Sequence, residues 1–267
     1  MTRTRQWFFA ALSVMATGGL WAAESAMTPE QLGAVVKVES LTIPMPGEFF
    51  AAISKQGRPA WKTLVRVGTP QTTSSRAQIA LALGTLVADG YIAVEAQDSA
   101  AVKNIGKEII GLAKKLNVSE SVLGRGRSLN DFAENNDWNA LREELEATQN
   151  EVKLDMEEQK DQSLVTLVTV GAWIRGTDIV SGLVAAGYTP ESARLLRQPA
   201  IIEYLLSKLA ELPKGMQKDE LVGTVRSSLE KALTLVKEET PSEEKVKELH
   251  QTMAAVVNDI AKGPQDS

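Results

Sequence analysis

The sequence contains no cysteine and only one histidine, His250, among its 267 residues. The lack of cysteine excludes disulfides, thiolate catalysis and a lipidated cysteine. Zinc and iron sites need several histidine, cysteine or carboxylate ligands at set spacings, and a Ser-His-Asp triad needs a histidine. A di-metal helical bundle needs Glu-x-x-His pairs on facing helices, which one histidine cannot supply. We therefore expect neither a metal site nor a cofactor.

The chain also lacks an excess of positive charge and has few aromatic residues. The chain has 29 Lys and Arg against 34 Asp and Glu, a net charge of −5, and aromatic residues make up 5% of it. An acidic chain without a basic block argues against nucleic acid as a partner, because such binding depends on neutralising phosphates. The low aromatic content favours helices packed through Leu, Val, Ile and Ala over a β-sandwich. There is no Gly-x-Ser-x-Gly turn and no phosphate-binding loop.

The N-terminus has the three parts of a signal peptide. Arg3 and Arg5 give a positive start, Trp7 to Leu20 form an apolar stretch, and small residues follow at 22–26. Cleavage after Ser25 puts Ala23 and Ser25 at the two positions that require small side chains, whereas cleavage after Ala22 is the competing choice. An uncleaved membrane anchor is the alternative, but the apolar run is short for a span of about 20 residues.

The domain prediction follows from this leader. Residues 1–25 are a signal peptide, and residues 26–267 form a single α-helical domain, because no Ser/Gly/Pro-rich linker divides them. The mature chain is expected to be periplasmic or extracellular. Removing the leader takes away two arginines and one glutamate, so the mature chain is one charge more negative than the whole.

Apolar residues spaced three or four apart predict four amphipathic helices. They are Val102, Ile105, Ile109, Leu112 and Leu116; Trp138, Leu141, Leu145, Thr148 and Val152; Val222, Val225, Leu229, Leu233 and Val236; and Val246, Leu249, Met253, Val257 and Ile260. Thr-Pro pairs at Thr28, Thr189 and Thr240 predict helix starts with Thr as the N-cap. Between Val38 and Val67 we expect short helices near 48–55 and 60–67. Loops are expected at 68–75 and near 124–127.

Two further segments, 79–94 and 164–186, are apolar nearly all round and rich in Gly, Ala and Ser, which is typical of buried helices that pack closely. The fold predicted is therefore all-α, a multi-helix bundle of about eight to ten helices around these two. The second segment has the length of a transmembrane span. Arg175 and Asp178 near its middle argue against one, because a charge at the bilayer centre costs at least about 2.5 kcal/mol.

Arg175 and Asp178 lie three residues apart and so share one face of the predicted helix. Two interpretations remain open. In the first, Arg175 bridges Asp178 and Asp89 in a buried structural network, since a buried charge must be paired. In the second, Arg175 receives an anionic ligand in a recess whose apolar wall is Trp173 or Tyr91.

These observations leave three functional hypotheses. The preferred one is an exported, non-enzymatic binding or scaffolding protein that acts on a protein partner or on a second copy of itself. The alternatives are a carrier of a small anionic or amphipathic ligand near Arg175, and an enzyme that uses carboxylates alone. The carboxylate-rich stretches at 143–146, 157–158 and 243–244 fall on polar helix faces and are typical of solvated surface.

We expect the exported chain to begin between Ala23 and Ala26, because the positive start, the apolar stretch and the small residues form one cleavage signal. Intact-mass measurement of protein expressed with its own N-terminus decides this. A full-length chain recovered from the membrane fraction would refute cleavage.

Overall fold

The structure, a computed structural model, describes residues 47, 50, 52–54, 59–66, 75–118, 124–158 and 161–262. The predicted leader, the Thr28 helix start and residues 68–74 of the loop expected at 68–75 lie outside this part. Within it there are eleven helices and no strand. In chain order they are α1 Trp61–Leu64, α2 Arg76–Glu95, α3 Ser99–Lys115, α4 Gly126–Glu134, α5 Trp138–Glu158, α6 Gln162–Ala186, α7 Pro190–Arg194, α8 Pro199–Ala210, α9 Lys214–Gln217, α10 Glu220–Leu235 and α11 Glu243–Lys262.

The all-α bundle predicted from the sequence is confirmed, with eight helices of seven or more residues. The four series of apolar residues spaced three or four apart lie in α3, α5, α10 and α11. The two segments rich in small residues are α2 and α6. The loop expected near 124–127 is wrong at 126 and 127, which begin α4, a helix that the spacing did not predict. Its short amphipathic face was hidden by two glycines and two arginines at its start.

α2 and α6 form the centre of the bundle and touch backbone to backbone. A Cβ added at Gly84 would lie 2.1 Å from the carbonyl oxygen of Val168, and one added at Gly171 would lie 2.2 Å from that of Leu81. No residue larger than glycine fits at either point without moving a helix. The small-residue composition of the two segments is therefore what permits their close approach.

The two central helices run parallel. Arg76, in the first turn of α2, is 2.7 Å from Asp161, the N-cap of α6, and contacts between the helices then advance along both chains together. α11 runs antiparallel to this pair, because His250 near its start contacts Asp178 while Ile260 near its end contacts Gln78. α10 returns beside α11, with Lys231 bound to Glu248.

α3 and α5 pack on α2, and α4 packs on α3 and α5. The turns that end α2, α3 and α4 have no glycine at their left-handed position. Gln97, Asn117 and Asn136 take left-handed backbone angles, with φ of 51°, 63° and 56°. After each, a backbone N–H reaches a carbonyl five residues earlier, as Asp98 does to Ala93, which closes a Schellman motif. Asp98 then caps α3 by accepting from the backbone N–H of Ala101. The adjacent residues Gln97 and Asp98 thus end α2 and begin α3.

The Thr-Pro pairs have different outcomes. Thr189 caps α7 as predicted, and Ser192 completes a reciprocal capping box. The prediction for Thr240 is wrong, because α11 begins at Glu243 and the hydroxyl of Ser242 accepts from the backbone N–H of Lys245. Thr240 instead accepts a hydrogen bond from Arg194, which ties this loop to α7.

α2 and α6 both have the length and apolar composition of helices that cross membranes, a property that core helices of water-soluble bundles share. In the bundle, 94% of the apolar window of α2 and 78% of that of α6 are buried by other helices. Their apolar surfaces are therefore already covered by protein.

We expect Gly84→Ala and Gly171→Ala each to destabilise the fold by about 1–3 kcal/mol or more, because the added methyl group meets backbone that cannot rotate away. Urea denaturation with an unchanged m-value measures the loss.

Gly111→Ala is the matched control, since Gly111 is an exposed glycine within α3 and a Cβ added there would meet no atom of the described residues within 4 Å. There the better helix propensity of alanine should stabilise the protein by about 0.5–1 kcal/mol. Equal stabilities of the Gly171 and Gly111 variants would contradict the close contact.

Candidate functional site

The parallel alignment of α2 and α6 brings Asp89 opposite Arg175. The Nε of Arg175 donates to Oδ1 of Asp89 at 2.8 Å, and its Nη1 donates to Oδ2 of Asp178 at 2.6 Å. The exposed fraction is 8% for the Arg175 side chain, 1% for Asp89 and 6% for Asp178. The bridging network expected from the sequence is therefore present and lies inside the bundle.

A second arginine completes the network on the α2 side. The Nη2 of Arg66, just after α1, lies 2.6 Å from Oδ2 of Asp89 and 3.2 Å from the hydroxyl of Thr85. The carboxylate of Asp89 thus binds one guanidinium on each oxygen. Two arginines and two aspartates balance in charge, which is the condition under which buried charges are tolerated.

All three guanidinium nitrogens of Arg175 donate to protein groups. The third, Nη2, donates to the backbone carbonyl of Leu64 at 3.1 Å. Burial alone would lower the pKa of Arg175, but the carboxylates of Asp89 and Asp178 outweigh it and raise the pKa above the ordinary value. Arg175 therefore stays charged and donates one hydrogen bond each to α1, α2 and α6.

His250 is the member of the site that the sequence analysis did not relate to Arg175 or Asp178. Its Nδ1 lies 3.0 Å from the backbone oxygen of Asp178 and 3.1 Å from Oδ1 of the same residue. The ring also packs over Gly182, where an added Cβ would come within 3.0 Å of it. Its position beside the apolar stripe of α11 was visible in the sequence, but no local pattern relates it to a residue 72 positions earlier.

The side chain of Asp178 beside Nδ1 raises the pKa of His250 above its ordinary value of 6.5, against the opposing effects of burial and of Arg175. Oδ1 of Asp178 is itself buried and has no hydrogen bond within the described part of the chain. The two observations fit one geometry, in which the Nδ1–H points at the backbone oxygen. Its contact with Oδ1 is then chiefly electrostatic.

Trp173 and Tyr91 are buried but are directed to other contacts. The Nε1 of Trp173 lies 3.3 Å from the side-chain oxygen of Gln198, at the start of α8. The ring of Tyr91 lies against Gly47. Two positions along a helix is a rotation of about 200°, so each aromatic residue faces away from its charged neighbour, Arg175 or Asp89. The structure thus joins Arg175, Asp178 and Asp89 to one another and not to these rings.

Outside the network, carboxylates pair with surface cations. Arg125 binds Glu144 and Glu151 of α5, and these bonds raise the pKa of Arg125. Arg142 binds Glu95 at 2.8 Å. In the described ranges, no three His, Cys, Asp or Glu residues converge as metal ligands. The side chains of 157 and 158 lie outside the described set.

The network therefore has the geometry of a structural tie between three helices and the segment at 64–66. No family model, curated protein or solved structure matches the chain. Chemically, the buried pairs can fix the register of α2 against α6. Each nitrogen of Arg175 donates one hydrogen bond to the protein, and 8% of the side chain is exposed, which leaves little surface for an incoming anion.

We expect Arg175→Met to reduce the free energy of unfolding by about 3–5 kcal/mol, because it leaves a buried carboxylate without its cation. The stranded group is Asp178, since Asp89 retains Arg66. Arg175→Met combined with Asp178→Leu should recover much of the loss, because no orphan charge remains. Chemical denaturation of both variants measures this.

The matched control is Arg142→Met, which breaks the ion pair with Glu95 at a site where the arginine is 36% exposed. It should cost no more than about 1 kcal/mol. If Arg175→Met lay within about 0.5 kcal/mol of wild type, as ordinary surface substitutions do, the structural role would be wrong.

Proposed function

We propose that the mature chain, residues 26–267, is an exported, non-enzymatic binding or scaffolding protein that acts on a protein partner or on a second copy of itself. The observation that carries this proposal is the burial of Arg175 within the fold, with each of its nitrogens bound to the protein. A carrier of a small anion needs a cation whose donors face a recess, and each nitrogen of Arg175 already donates to Asp89, Asp178 or Leu64.

The arrangement of the carboxylates supports a non-enzymatic role. Acid–base catalysis by carboxylates needs two of them in one cleft with their pKa values pushed apart. Asp89 and Asp178 do converge, but both are buried and both are bound by guanidinium groups. A pair held in this way is suited to stabilising a fold.

The outer faces support an exported chain in water. Ion pairs lie on four of the outer helices, α3, α4, α10 and α11, with Lys103 bound to Glu134, Lys231 to Glu248 and Lys247 to Glu243. The apolar helices α2 and α6 lie beneath them. Together with the N-terminal signal-peptide pattern, this favours a periplasmic or extracellular protein without a transmembrane span in its mature form.

Native mass spectrometry of the protein purified from the exported fraction of its own host tests the proposal. We expect the mature chain as a homo-oligomer or in a stoichiometric complex with another protein. The variant with Arg175→Met and Asp178→Leu should form the same assembly, because the network contributes only to folding.

Other outcomes discriminate among the alternatives. A monomer that retains a small anionic molecule, and loses it in the double variant, would favour the ligand carrier. A monomer with neither partner nor ligand would contradict binding and scaffolding alike.

A further inference from the structure

The contact between α11 and α6 contains a buried carboxylate oxygen, Oδ1 of Asp178, whose negative charge is compensated by the titratable ring of His250. Oδ2 of Asp178 binds Arg175, whereas Oδ1 is buried and has no hydrogen bond from the described residues. The Nδ1 of His250 lies 3.1 Å from Oδ1. A buried carboxylate oxygen without a donor is costly, and a positive charge beside it offsets that cost.

The geometry also determines which tautomer the ring adopts. Nδ1 faces two acceptors, the backbone oxygen and Oδ1 of Asp178, so it must carry a hydrogen in the neutral ring as well. The proton that titrates therefore enters and leaves at Nε2. The side chain of His250 is 41% exposed, which gives that nitrogen a route to solvent without opening the helix contact.

We propose that His250 is a pH-sensitive latch that holds α11 against α6: the protonated ring attracts the buried carboxylate of Asp178, and loss of the proton leaves only the neutral hydrogen bond to the backbone. The latch acts on the helix that closes one side of the central pair. It does not depend on the proposed binding function.

Arg175 of α6 and Lys231 of α10 each have carboxylate partners. From α6, Arg175 faces the ring and opposes its protonation, but it is bound to Asp178 and Asp89. From α10, Lys231 is bound to Glu248 of α11. From α2, the contact with α11 is the neutral side chain of Gln78, which donates to the backbone oxygen of Ile260. Asp178 is therefore the charged group whose attraction for the protonated His250 strengthens the contact between α11 and α6.

The direction of the pH dependence follows from the raised pKa of His250. The added stability is complete below the ordinary value of 6.5, where the ring is charged in folded and unfolded chains alike. It is lost as the pH rises through the higher pKa of the folded state. The contact of α11 should thus be stronger at mildly acidic pH than at alkaline pH.

The first test uses wild-type protein and the fact that His250 is the only histidine. Long-range proton–nitrogen NMR of the labelled imidazole gives one set of signals. We expect the neutral ring to carry its hydrogen on Nδ1 and the titration midpoint to lie above 6.5. A hydrogen on Nε2 in the neutral ring, or a midpoint at or below 6.5, would overturn the latch.

The second test compares hydrogen–deuterium exchange of wild type with that of His250→Asn. Asparagine keeps an N–H near the position of Nδ1 but has no charge, so only the titration is removed. At about pH 5.5 the α11 amides of wild type should exchange several-fold more slowly than those of the variant, and near pH 8.5 the ratio should approach one.

The helix α3, which packs on α2 and α4, serves as the internal reference. Its ratio should stay close to one at every pH. An equal change in α3 and α11 would assign His250 to global stability and overturn the latch, as would a ratio in α11 that does not change with pH. If the asparagine variant does not fold, the NMR titration of wild type decides the proposal alone.

Discussion

The backbone contact between α2 and α6 at Gly84 and Gly171 is the constraint on which the rest of the structure depends. It holds two parallel helices closer than side chains would permit, and it places Asp89 of one opposite Arg175 of the other. The guanidinium can then reach both aspartates and the backbone of Leu64 at once. Larger residues at either glycine would separate the helices and draw these groups apart.

The buried charges give this contact a single register. Both helices are apolar on nearly all sides, so dispersion and burial alone distinguish poorly between neighbouring alignments. A slip of one turn would set Arg175 opposite Thr85 or Ala93 and take it away from Asp89. Since uncompensated buried charges cost several kcal/mol, such alignments are disfavoured. Buried polar groups are known to fix register in helical assemblies, and the network has the geometry for that role.

Much of the fold could be predicted from the sequence, because an α-helix produces a local pattern of apolar and small residues. Apolar spacing placed α3, α5, α10 and α11, and small-residue content identified α2 and α6. The turns that end the helices were harder to predict. Gln97, Asn117 and Asn136 end helices in a conformation usually marked by glycine, so the expected signal was missing.

In the candidate site, contacts between neighbouring residues of one helix could be predicted, and most contacts between residues distant in the chain could not. The pairing of Arg175 with Asp178 follows from helical spacing, and Asp89 was the acidic residue in the other apolar helix. Arg66 and His250 could not be placed, because they meet the network from segments whose packing no local pattern fixes. Trp173 and Tyr91 were grouped with it by sequence proximity, although helical rotation directs them elsewhere.

The parallel arrangement of the two central helices also determines how the chain can assemble. Parallel neighbours cannot be joined by a short turn, and Asp89 and Arg175 are 86 residues apart. The contacts of α3 and α5 with their neighbours close shorter loops, of 34 residues from Ser99 to Ala133 and 47 from Glu95 to Arg142. Because the entropy of loop closure grows with loop length, these outer contacts can form at lower cost than the core contact. The contact between α2 and α6 should thus form late in folding. The chain should therefore fold more slowly than an up-and-down bundle of the same size.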